Sequence, residues 1–183
     1  MTKLSNLLIV SILFFVSLSH ANYASLIGKT FLKQEGETLA GKPLKFPDSF
    51  KSHSITLIAF GFSRKAGDDF DSWLIPFRNR YNTNDGVNFI SIPMIGKIPQ
   101  WIVKQMKKGM KKGIDESLHS HQMIYTGNTK VYKEYYRLEN EKMGYFFLVD
   151  SNGVILWEAS GKASDEQLTI LYNVADKQLL YSN

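Results

Sequence analysis

The chain has 183 residues, 44% of them hydrophobic and 21% charged, with a formal charge of +5 at pH 7. That length and balance fit one globular domain and exclude a chain dominated by repeats or disorder. There is no cysteine, which excludes disulfide exchange, cysteine-based peroxide reduction and disulfide staples.

Lys3 precedes the apolar run Leu7 to Leu18, and Ser19-His20-Ala21 places small residues where a signal peptidase reads. Residues 1–21 are therefore read as a secretory signal peptide, cleaved at Ala21 or Ala24. The run is short for a membrane span, and an uncleaved anchor is the alternative. Residues 22–183 form the single predicted domain, exported to a periplasm and possible at the surface of the inner membrane.

From Tyr23 to Pro47, scattered glycines and prolines predict an irregular entry with one short hairpin. "HSITLIAFGF", His53 to Phe62, is almost continuously apolar, as a central strand buried on both faces must be. Ser63 to Gly67 turns the chain. Asp68 and Asp69 then suit a helix N-terminus, and Phe70, Trp73, Leu74 and Phe77 recur at helical intervals, with Pro76 expected to kink or shorten the helix. "GVNFISIPMIG", Gly86 to Gly96, predicts another strand, and Pro99 to Lys112 a basic helix. Between Ile114 and Lys142, "HQMIYTG" reads as an edge strand or a loop, and Lys130 to Leu138 as a short helix or an extended connection.

Two apolar runs, Tyr145 to Val149 and Val154 to Glu158, flank Asp150-Ser151-Asn152-Gly153, whose Asn-Gly pair predicts a type I′ hairpin turn. Ser164 and Gln167 have the spacing of a capping box. Leu168, Leu171, Tyr172, Ala175 and Leu179 follow as the apolar stripe of a last helix. The order β, α, β, α, hairpin, α predicts an α/β, thioredoxin-like fold: a central mixed β-sheet, helices on both faces, and a C-terminal β-hairpin plus helix.

Two stretches could carry binding. In thioredoxin-like domains the reactive thiols sit where the central strand meets the next helix, because the helix N-terminus lowers a thiol's pKa. Here that junction reads "GFSRKAGDDFDSW", so Ser63, Arg64 and Lys65 could instead form an anion or ligand cleft beside the helix, or an ordinary solvated turn. In "GKIPQWIVKQMKKGMKKG", Ile98, Trp101, Ile102, Met106 and Met110 fall on one helical stripe, and Lys104, Lys107, Lys108, Lys111 and Lys112 crowd the rest. Such a helix can lie on anionic lipid, dock on an acidic partner beside a membrane, or pack its stripe on the sheet and expose its lysines for solubility.

His119-Ser120-His121 could place two imidazoles on one strand face, but no third ligand stands at close spacing, so neither a metal nor another cofactor is predicted. His53 is read as a strand-edge residue. No nucleophile elbow, phosphate loop or His-Glu-x-x-His helix occurs, and aromatic residues are not interleaved with the basic ones as nucleic-acid binding would favour.

Taken together, "SWLIPF" (Ser72 to Phe77), the basic stretch running into "HSHQMIYTG", and above all "GYFFLVDSNGVILWEASGKA" (Gly144 to Ala163) resemble the ATP10 family of ATP synthase assembly factors. The matching positions are Leu148, Val149, Asp150, Gly153, Trp157, Gly161 and Ala163. The resemblance implies a thioredoxin-like fold and a non-enzymatic chaperone that helps a membrane-embedded ATP synthase subunit enter its complex. Two departures stand out. Leu156 replaces the family's usual arginine before the tryptophan, and the N-terminus looks like a bacterial export signal rather than a mitochondrial presequence. The expected function is an extracytoplasmic assembly factor or chaperone-like binder of a membrane protein. The alternatives are an enzyme or small-ligand binder using the cleft near residues 63–69 with His119 or His121, and a degenerate peroxiredoxin-like protein.

Overall fold

The computed structural model describes residues 25–182; the segment read as a signal peptide lies outside the described residues. In chain order the elements are β1 (Gln34–Glu37), β2 (Pro43–Phe46), β3 (Ile55–Gly61), α1 (Gly67–Tyr81), β4 (Val87–Pro93), α2 (Gln100–Gly113), α3 (Thr129–Tyr136), β5 (Gly144–Asp150), β6 (Ile155–Ser160) and α4 (Asp165–Tyr181). All residues of β3 are buried, and alternation along a strand sends its side chains to opposite faces. Ile55, Leu57 and Ala59 pack with Trp73, Phe77 and Leu171 of α1 and α4. Ile58 and Phe60 pack on the other face with Phe31, Phe50, Tyr132 and Tyr136. The entry segment and α3 therefore cover one face of the sheet, while α1 and α4 cover the other.

The four-stranded sheet has the order β4-β3-β5-β6, with β3 parallel to β4 and antiparallel to β5, and β5 antiparallel to β6. This is the mixed sheet the element order predicts. The entry hairpin forms a separate two-stranded sheet, β1-β2. "HQMIYTG" runs extended beside β4: Met123 and Tyr125 donate their N–H groups to Ser91 and Pro93 carbonyls at 3.0 Å each, through isolated bridges instead of a full strand. Of the two readings of Lys130 to Leu138, the helix is the one formed. Asn128 caps it by accepting from the Lys130 N–H, and Arg137 ends it in the left-handed conformation.

Two local expectations change. Pro76 lies inside α1, yet the helix continues to Tyr81 and is not shortened there. The β5–β6 turn is not type I′, because Gly153 has φ +78 while Asn152 has no positive φ. The Asp150 carboxylate accepts from the N–H groups of Asn152 and Val154 at 2.9 and 2.8 Å. That local bonding favours a longer loop in which glycine alone takes the left-handed conformation. The predicted capping box at Ser164 and Gln167 is present in both directions.

The segments that carry the family resemblance are bonded to one another. Trp73 is fully buried, its indole N–H donates to the Gly161 carbonyl at 2.8 Å, and its ring centroid lies 5.0 Å from that of Trp157. The Ser72 hydroxyl accepts from the Ala163 N–H at 2.9 Å, and the Asp69 carboxylate accepts from the Gly144 N–H at 2.8 Å. Gly161 has φ +76, a conformation that a side chain strains. "SWLIPF" and the Gly161-Lys162-Ala163 step are thus two sides of one fastening between α1 and the end of the sheet. Trp73→Phe keeps an aromatic ring but leaves the Gly161 carbonyl without its donor. We expect it to lower the unfolding free energy by about 2 kcal/mol, read from urea denaturation; an unchanged midpoint would show that this bond fastens nothing.

Candidate functional site

Beyond their C-terminal ends, β3 leads through Ser63 and a 3-10 turn at Arg64–Ala66 into α1, while β4 leads through Ile95 and Gly96 toward α2. Between α1 and α2 lies a groove of about 1090 Å³. Phe62, Pro93 and Ile95 line it, with Phe70 and Leu74 contributed by α1 and Ile102, Met106 and Met110 by α2. Ser63 and Arg64 are at its mouth, whereas Lys65 is exposed and does not line it. Two stretches that the sequence marks separately are therefore walls of a single groove. Phe62, Phe70, Leu74 and Ile95 belong to it too; sequence reasoning placed them only in the strands and in the helical stripe of α1.

The faces of α2 differ from the predicted stripe. Val103 is its buried residue, and Ile102, Met106 and Met110 are half-buried along the groove. Trp101 is 64% exposed. At about 100° per residue, neighbours 101 and 102 diverge around the helix, so Trp101 joins Lys104 and Lys108 on the outer face and leaves the row 102, 106, 110. Lys104, Lys108, Lys111 and Lys112 are exposed, and the helix sequence QWIVKQMKKGMKKG has no acid. Lys107 is engaged elsewhere: its ammonium lies 3.2 Å from the Glu37 carboxylate on β1. Gly109 and Gly113 lie along the groove, and their missing side chains keep that wall low.

The histidines do not join this groove. His119 and His121 belong to a 3-10 turn, Glu116–His121, and not to a strand face. A ring nitrogen of His119 lies 3.1 Å from the Ile114 carbonyl. Nδ1 of His121 lies 3.0 Å from the Phe89 carbonyl, and its ring stacks on Phe89 with centroids 4.2 Å apart. His121 and His53 line a different cleft, together with Asp85 and Asp115. The structure does not bring His119 or His121 to the lining of the groove at residues 63–68. Among the described residues, no group of three or more His, Asp or Glu side chains is placed to hold a metal ion. Asp69, pointed at Gly144, is structural, while Asp68 lines the groove.

Burial lowers the pKa of His121, an effect the Phe89 carbonyl opposes in part, and burial lowers that of His53 as well. Both imidazoles thus hold a proton less readily in the fold than in the unfolded chain, where the ordinary value is 6.5. The stability they contribute is complete above that value and declines as pH falls through it toward the folded pKa values. We expect the urea midpoint to drop between about pH 7 and pH 5 and the drop to shrink in His121→Phe; identical slopes would exclude His121 as a source.

With the fold and groove in view, comparison with known proteins places the chain. The sequence model described as "ATP10 protein" matches residues 20–177. No curated protein matches. Among solved structures, a thiol-disulfide oxidoreductase from Bacteroides fragilis is 16% identical over 79% of this chain and 98% of its own, with a TM-score of 0.54. A thiol:disulfide interchange protein from Bacteroides sp. is 18% identical over 82% and 88%, with a TM-score of 0.56. BsSco, of the Sco family of cytochrome c oxidase assembly proteins, is 17% identical over 82% and 94%, with a TM-score of 0.54. At such identities these structures establish the thioredoxin-like fold alone. The match of the family model over most of the length, together with that fold, shows that the chain belongs to the ATP10 family.

Proposed function

We propose that this protein is an assembly factor without redox activity, which holds an apolar segment of a membrane-embedded ATP synthase subunit in the groove between α1 and α2. The family supports a role in ATP synthase assembly, and the absence of cysteine removes thiol chemistry. The observation that carries the reading is the groove itself: it opens at the helix junction where redox relatives of this fold hold their thiols, and both helical walls present apolar side chains. An apolar segment bound there would be shielded from water until it is handed on. The reading also takes the N-terminal segment as an export signal, so the protein would work outside the cytoplasm, at the membrane where its client is inserted. Among the described residues no helix is long and apolar enough to cross a membrane.

Met106 is half-buried on the groove wall, so Met106→Glu puts a charge where the client's apolar face would lie and spares the two cores. We expect recovery of the membrane-embedded ATP synthase subunit with the tagged protein to fall at least about tenfold, with assembled ATP synthase reduced in the same cells. Undiminished recovery would refute the groove as the client site.

A further inference from the structure

The outer face of α2 has no role in the groove. Trp101, Lys104, Lys108 and Lys111 follow one another at helical spacing and are all exposed. Lys112 lies beside them, while Ile102, Met106 and Met110 face the groove and Lys107 reaches Glu37. Two features of this face point to a ligand. The first is charge: four lysines without an ion-pair partner among the described residues stand on a helix that carries no acid. The second is Trp101, 64% exposed, although Trp73 and Trp157 are buried. An indole among lysines, with an apolar body and one N–H donor, suits the boundary between headgroups and acyl chains, and ammonium groups suit phosphate.

We propose that this face of α2 seats the protein on an anionic lipid bilayer, independently of what fills the groove. The occupant follows from charge complementarity. A second copy of the same face would bring lysines against lysines, and an acidic protein surface would leave Trp101 without an apolar region to enter. The outer face and the row at 102, 106 and 110 lie on opposite sides of the helix, so the bilayer and the groove's occupant can be held at the same time.

The test uses the full chain and sedimentation with vesicles of phosphatidylcholine, with or without phosphatidylglycerol. The apolar N-terminal run is common to all variants, so its contribution cancels in the comparison. We expect tighter binding to the anionic vesicles, a blue shift of the Trp101 emission on binding, and loss of the anionic preference in high salt. A lysine near an anionic surface contributes about fivefold in affinity, so the exposed-site variant K104Q/K108Q/K111Q should bind anionic vesicles on the order of 100-fold more weakly and neutral ones unchanged. Met106→Glu should leave vesicle binding intact, which separates this surface from the groove. Equal binding to both vesicle types, undiminished anionic binding by the triple variant, or a Trp101 emission that stays solvent-like in the bound state would each overturn the proposal. So would a triple variant that loses its ATP synthase subunit yet binds vesicles normally, because the face would then belong to an acidic protein.

Discussion

The structure depends on β3 being buried on both of its faces. Its alternating side chains enter two separate apolar clusters, Ile55, Leu57 and Ala59 into one and Ile58 and Phe60 into the other. A strand without a solvent face can stay in place only if a layer covers each side. One layer is α1 with α4, and the other is α3 with the entry segment and its phenylalanines. The register with β4 and β5 then fixes where the strand ends, and with that where α1 begins. The position of the groove, just past the end of β3, follows from this arrangement.

The fastening of α1 explains why the most recognisable segments of the chain are structural ones. Asp69, Ser72 and Trp73 each bond the backbone at one edge of the C-terminal unit, at Gly144, Ala163 and Gly161. Buried backbone groups need partners, and these side chains supply them where the sheet ends and the last helix begins. Leu156 is half-buried against the cluster beneath α4. It adds apolar contact on that side of β6.

Much of the architecture is legible in the sequence because its cause is local. β3 reads as buried from its unbroken apolar run, α4 from its capping box and stripe, and the β5–β6 hairpin from the turn residues between two such runs. The turn type is less legible because the Asp150 side chain reorganises the loop. The candidate site is legible only in pieces. Periodicity marks Ile102, Met106 and Met110 as apolar but does not say whether a layer covers them, and here a groove does not fill with side chains. Trp101 stands one position from that row and faces the opposite way. Lys107 is committed to Glu37, a partner distant in sequence that no local pattern announces. His119 and His121 suggest a shared face only if their segment is a strand, and it is a 3-10 turn.

The central claim is that the groove between α1 and α2 holds an apolar segment of a membrane-embedded ATP synthase subunit. The most direct measurement is site-specific photocrosslinking in living cells, with the reactive group placed in turn at Met106 on the groove wall and at Val131, which is 48% exposed on α3, as the reference position. The account predicts a crosslink from Met106 to an apolar stretch of that subunit and none from Val131. Crosslinks to the subunit from Val131 but not from Met106 would contradict it.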